Sequence, residues 1–168
     1  MTELLILTTL FLKPCHGYEI RKMFPGMKIN NNTLYPMLKK MVTSGYVRME
    51  IQSQENKPAK KVYELTEAGK ERLFELVSDF NDENVACADE FYLRVAFCQF
   101  LPKQEIERIL ESRIKYLNTL YNHQKLMKIL ELFPDDNSDI LNLKHYSETK
   151  VYNEIQFVKD LKRKYDIE

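Results

Sequence analysis

The sequence predicts a mainly α chain with a small β wing, built in two parts. Three observations predict it. Apolar residues recur at helical spacing over most of the chain. Between Tyr46 and Leu65 the pattern changes to alternation on both sides of a polar, proline-containing stretch. The helix start Thr66-Glu67-Ala68-Gly69 closes that stretch, and every later pattern is helical. Length sets the scale: 168 residues make one ordinary domain or two small ones.

The elements follow in order. Thr2–Leu12 is a helix with a broad apolar face of Leu4, Leu5, Leu7, Leu10 and Phe11, and Pro14 ends it because the residue before proline is pushed out of the helical region. His16–Phe24 reads as a second short helix in which Tyr18, Ile20 and Phe24 point inward or along a groove, and Pro25-Gly26 is a turn signal. The stretch Asn30–Gly45 reads as a third helix with an apolar stripe of Leu34, Leu38 and Met41, with Met37 beside it. Its cap is either Asn30 or Thr33, whose side-chain oxygens can accept a free backbone N–H. Pro36 must then lie near the helix start, where the missing N–H matters least. Gly45 supplies the left-handed residue that ends the helix.

Tyr46–Ile51 alternates as a strand, Gln52–Ala59 reads as a hairpin tip, and Lys60–Leu65 alternates as the return strand. Thr66 caps a fourth helix that continues to residue 85 through Leu73, Leu76, Val77 and Phe80, and Gly69 suits a tight contact. Asp82-Glu83-Asn84 is a polar break. Helices are then predicted over Ala88–Leu101, Lys103–Phe133 and Asp139–Tyr165, with Pro134–Ser138 as a loop. The long pair carries stripes of Ile106, Leu110, Ile114, Leu117, Tyr121 and Met127, and of Leu143, Tyr146, Val151, Ile155, Val158 and Leu161. Joined by a short loop, the two are antiparallel. Their stripes are too wide for the pair to bury alone, so a third helix and a second subunit are expected to cover them. Helix, helix, helix, strand, strand, helix is the winged helix-turn-helix arrangement. The predicted division is therefore a winged helix-turn-helix domain over 1–82 and an α-helical dimerisation and effector domain over 83–168.

Composition narrows the function. The net charge is zero, but residues 1–70 carry 11 Lys/Arg against 6 Asp/Glu (+5), and residues 71–168 carry 14 against 19 (−5). Only the first part is suited to a polyanion. No apolar run approaches bilayer length, and LLILTTLFL has neither a preceding basic segment nor a following cleavage site, so a cytoplasmic protein with no membrane partner is expected. The three cysteines are few and widely spaced, which argues against a disulfide framework.

The pieces HGYEI at 16–20, TLYPMLKKM at 33–41, SGYV at 44–47 and KKVYELTEAGK at 60–70 make residues 4–70 resemble the DNA-binding domain of the PadR family of transcriptional regulators. The likeness extends to the longer form with a multi-helix C-terminal domain. One departure stands out: Asn32 occupies the position where that family has a small residue.

The candidate DNA-binding residues are Tyr18, Lys28, Asn30, Asn31, Asn32, Thr33, Tyr35, Lys39, Lys40, Lys57, Lys60 and Lys61. The asparagines and Thr33 can bond base edges or phosphates at a recognition-helix N-terminus, and an asparagine amide suits adenine. Capping competes for one of them. The resemblance puts Tyr35 at the DNA surface. Tyr18 either reaches a phosphate or packs. Lys28, Lys39 and Lys40 suit phosphate neutralisation. Lys57, Lys60 and Lys61 suit a wing that follows the backbone into the minor groove. The resemblance also implies a repressor that occludes a promoter, binds a dyad-symmetric operator as a homodimer, and responds to a small-molecule effector through its C-terminal helices. Phe91, Phe97, Phe100, Tyr116 and Tyr121 are the pocket candidates, with dimer-core packing as the competing reading.

Catalysis and cofactors are not expected. Cys15, Cys87, Cys98 and His16 lack the close paired spacing of a zinc site, His123 and His145 stand singly, and four glycines supply no phosphate loop. The alternative function is a winged helix used for protein interaction or small-molecule binding, without sequence-specific DNA recognition.

Overall fold

A computed structural model describes residues 1–23, 30–54, 57–81, 84–122 and 138–167, and the side chains among these except those of 53, 54, 57–59, 121 and 122. Several expectations lie outside these: Phe24, the Pro25-Gly26 turn, Lys28, the centre of the hairpin tip, Asp82-Glu83, and everything expected of 123–137, including His123 and Met127. The chain forms two compact units, Met1–Asp79 and Phe80–Glu168.

The first unit is built on α1 (Thr2–Leu12). It is buried all round rather than on one face: every residue from Leu4 to Leu10 is buried, and Thr9 spends its hydroxyl on the Leu5 carbonyl at 2.9 Å. The helix ends at extended Lys13, before Pro14. His16, expected as the first residue of the second helix, instead joins Cys15 in a two-residue strand, β1. Their side-chain pattern could not show this, because two residues carry no period. The helix α2 then spans Gly17–Met23, with Glu19 accepting the His16 backbone N–H at 2.8 Å.

The helix α3 spans Asn31–Thr43 and buries Leu34, Leu38 and Met41. Asn30 is the cap, accepting the Thr33 backbone N–H at 3.0 Å and the Thr33 hydroxyl at 3.1 Å. That choice moves Pro36 to the sixth helical position instead of the first turn. At the other end the Gly45 N–H reaches the Val42 carbonyl and the Tyr46 N–H the Met41 carbonyl, with Gly45 at φ 76°. This is a Schellman closure, which needs the left-handed residue.

Strands β2 (Val47–Gln54) and β3 (Lys57–Leu65) pair antiparallel from Val47↔Leu65 out to Gln54↔Lys57. The ladder therefore invades most of the expected tip. It does so through an irregularity between Gln52 and Gln54, where one residue faces Pro58 and Ala59. A bulge tolerates the proline's missing N–H. β1 joins the far edge of β3 through Cys15↔Tyr63 and His16↔Val62, giving the order β1-β3-β2. The helix α4 (Glu67–Ser78) returns over α1, capped by Thr66, whose hydroxyl accepts the Gly69 N–H at 3.0 Å. A Cβ on Gly69 would lie 2.0 Å from the Tyr46 carbonyl oxygen, so only glycine fits. α4 stops at Ser78, not near 85. Beyond it Asn81 and Asn84 exchange side-chain bonds to each other's backbone N–H, which holds a turn in place of a helix.

The second unit contains α5 (Ala88–Val95), a 3₁₀ turn at Cys98–Phe100, α6 (Lys103–Asn122) and α7 (Ser138–Lys164). The expected Ala88–Leu101 helix breaks because its hydrogen bonds tighten after Ala96: Phe97, Phe100 and Leu101 each donate to the residue three earlier. The tighter turn still carries Cys98 into the core with Phe91, Ile109, Leu110 and Val158. Two arginines lie inside this unit. Arg113, 2% exposed, donates to the Val85 carbonyl, pairs with Glu154 and stacks over Phe91 and Tyr116. Arg94 pairs with Glu90 at 3.0 Å and covers Phe80. Of the expected α7 stripe, Ile155 and Val158 are buried, but Leu143 and Tyr146 are exposed, together with Leu141, Tyr152 and Phe157.

Candidate nucleic-acid interface

The polar side of α3 is the outward continuation of its packing. Leu34, Leu38 and Met41 face the core, so Asn31, Asn32, Thr33, Tyr35, Lys39 and Lys40 are exposed. The asparagines have separate tasks. Asn30 and Thr33 hold each other in the cap, and the Asn31 side-chain oxygen accepts from Arg21 at 3.2 Å. Asn32 is exposed and makes no side-chain hydrogen bond among the described residues. Its amide is the one of the three with neither its oxygen nor its nitrogen engaged among the described residues.

A cleft of about 530 Å³ brings distant stretches of sequence to one surface. It is lined by His16, Gly17, Tyr18 and Glu19 from the β1–α2 corner, by Tyr35 from α3, and by Lys60, Lys61 and Tyr63 from β3. Four of the sequence candidates, Tyr18, Tyr35, Lys60 and Lys61, thus share its rim. Tyr18 is 58% exposed with Arg21 over its ring, and Tyr35 is 45% exposed. The corner is held by the His16 ring, whose Nδ1 lies 3.0 Å from the Lys61 carbonyl. The backbone N–H that Glu19 accepts from His16 holds its carboxyl below the usual range, so Glu19 stays ionised and occupied. Tyr63 is buried beneath, and burial pushes its phenol up, with Tyr35 adding to the effect.

Part of the unit's positive charge is paired. Arg48 is tied to Glu64 at 2.6 Å, Lys70 to Glu67, and Arg72 to Glu3 and Glu75. Lys39, Lys40, Lys60 and Lys61 are exposed and have no ion pair among the described residues. Lys13 and Lys22 of the same unit are likewise exposed and without an ion pair among the described residues. Lys28 and the Lys57 side chain lie outside the described residues. Sequence reading missed the β1–α2 corner as the cleft's wall, since the Gly17 contact with Tyr35 joins residues 18 positions apart.

Of the aromatic set expected for an effector, Phe91 and Tyr116 lie against the same Arg113 guanidinium. Phe91 belongs to the core of the second unit, Phe97 is buried beside exposed Phe100 with ring centroids 6.3 Å apart, and Tyr116 lies under Arg113. The Tyr121 side chain lies outside the described residues. A groove of about 410 Å³ in that unit is lined instead by Tyr92, Tyr146, Lys150, Glu154 and Phe157, with Thr149 and Asn153. Burial raises the Cys15 and Cys98 thiols to about 11, which makes them inert packing groups. Among the described residues no group of His, Cys, Asp and Glu could hold a metal ion, and no helix is long and apolar enough to cross a membrane.

Comparison with known proteins places this surface in context. Residues 6–75 match the sequence model of the Transcriptional regulator PadR-like family. The negative transcriptional regulator PadR of Bacillus subtilis (strain 168) is 27% identical over 104 residues, which are 59% of this chain and 57% of that protein. The match thus spans under two thirds of the relative's length. Among solved structures, Bacillus subtilis PadR in complex with operator DNA aligns over 97% of this chain and 98% of its own, at 20% identity and a TM-score of 0.47. The smu.1704 protein of Streptococcus mutans UA159 aligns over 46% of this chain and 74% of its own, at 32% identity and a TM-score of 0.43.

Proposed function

We propose that this chain, whose residues 6–75 match the PadR-like family of transcriptional regulators, is a repressor that binds a dyad-symmetric operator as a homodimer. The observation that carries this reading is the shared surface of α3 and the wing. Exposed Tyr18 and Tyr35 lie on one cleft with Lys60 and Lys61, which form no ion pair among the described residues, although Glu19 lines the same cleft. Duplex DNA supplies the missing counter-charge, and release of its condensed ions drives association. In this reading α3 enters the major groove, Asn32 reads a base edge, and the lysines neutralise phosphates on either side.

Residues 1–82 serve as the DNA-binding part and 83–168 as the dimerisation and effector part. Exposed Leu141, Leu143, Tyr146, Tyr152 and Phe157 on α7 supply the apolar surface for a second subunit. A twofold dimer repeats α3 at a fixed spacing, which a dyad-symmetric operator matches. A ligand that alters the angle between the two DNA-binding parts breaks that match and releases the promoter.

The test is retardation of a duplex from the region upstream of the protein's own gene, at low and rising salt. Binding that weakens steeply with salt supports the regulator. No retardation at low salt leaves an interaction module in its place. Deleting residues 103–168 tests the dimer's part: the account expects operator affinity to collapse, and retained affinity contradicts it.

A further inference from the structure

We propose that Gly17 is a positioning residue for DNA recognition: by lacking a Cβ, it seats the Tyr35 ring against the start of α2. The inference rests on the reading of Tyr35 as a DNA contact.

Gly17 is the buried first residue of α2. Its backbone does not require glycine, since among the described residues the positive-φ glycine is Gly45. What requires glycine is a neighbour. A Cβ at position 17 would lie 2.9 Å from Tyr35 Cε1 and 3.4 Å from both its Cζ and its hydroxyl oxygen. The nearest atoms all belong to the outer half of one ring. A phenol at 45% exposure has two rotors to swing through. Seated on a bare backbone, it is held at the cleft rim beside Tyr18, Lys60 and Lys61 before any ligand arrives. Ordering a side chain beforehand removes a cost that binding would otherwise bear. The same geometry makes the effect separable from folding, because a methyl group at 17 meets the mobile end of a side chain and not backbone.

The test is a double-mutant cycle in the full chain, on a duplex that the wild type selects from a random-sequence pool. Gly17→Ala is expected to weaken binding about three- to tenfold with its unfolding temperature nearly unchanged. Tyr35→Ala is expected to weaken it by at least as much, and Gly17→Ala added to Tyr35→Ala is expected to change nothing further. Independent, additive losses, or wild-type affinity in Gly17→Ala, would overturn the proposal while leaving the DNA reading intact. A wild-type chain that selects no duplex overturns both. A readout free of DNA and of variant folding is the ring-current shift on the Gly17 α-protons of the wild type. It is expected displaced by the adjacent ring from the position of an ordinary helical glycine, and an unshifted Gly17 signal overturns the seating.

Discussion

At the scale of single residues, stability and recognition are divided among neighbours in α3. Asn30 satisfies two groups of Thr33 and Asn32 satisfies none among the described residues. Asn30→Ala should therefore cost about 1 kcal/mol of stability in a denaturant titration. Asn32→Ala should leave stability within about 0.5 kcal/mol and instead relax discrimination at one operator position. The reverse pattern would exchange their roles. The sequence left the cap open between Asn30 and Thr33 because both are good acceptors at compatible spacings, and only the Asn30–Thr33 bonds choose. Tyr35→Ala and Lys39→Ala should each weaken operator binding about tenfold without unfolding the chain, and unchanged affinity removes either from the interface. The thiols differ as sharply. Cys15 and Cys98 are buried and protonated up to about pH 11, whereas Cys87 is exposed. A thiol reagent at pH 8 should label Cys87 quickly and the other two only on unfolding. Because the fold favours the neutral buried thiols, stability should fall as pH rises from 9, their ordinary value, toward 11.

At the scale of elements, what was legible followed from period and punctuation. α1, α3 and both wing strands carry enough residues to display a pattern, and Gly45, Thr66 and Gly69 mark their joints. The Gly69 joint is the least forgiving. Gly69→Ala drives a methyl into the Tyr46 carbonyl, and its denaturation midpoint should report a loss of about 3 kcal/mol or more. What stayed hidden had no local signature. β1 is two residues long. The break after Val95 preserves the spacing of Phe91 and Cys98, so an apolar pattern cannot reveal it. Arg113 reads as a surface charge until Glu154, 41 positions away, is placed beside it. Glu154→Ala leaves that guanidinium buried without its carboxylate and should cost about 3–5 kcal/mol. The cleft was illegible for the same reason. Its walls come from three separated stretches, and its aromatic and basic residues were individually visible but their meeting was not.

At the scale of the whole molecule, the two units differ in charge and in apolar exposure. The first carries +5 through residue 70 and exposes lysines that form no ion pair among the described residues beside α3. The second is acidic and exposes apolar side chains along α7, Tyr146 to 63%. In the proposed reading each surface meets a different partner, DNA for one and a second copy for the other. The most direct test of this account is fluorescence anisotropy of the selected duplex titrated with the full chain across 50–300 mM salt. It predicts a log–log slope of about −4 to −7, falling in magnitude by about 1 for each of Lys60→Ala and Lys61→Ala per protomer engaged. Absence of binding at 50 mM salt, or a slope that these substitutions leave unchanged, would contradict it.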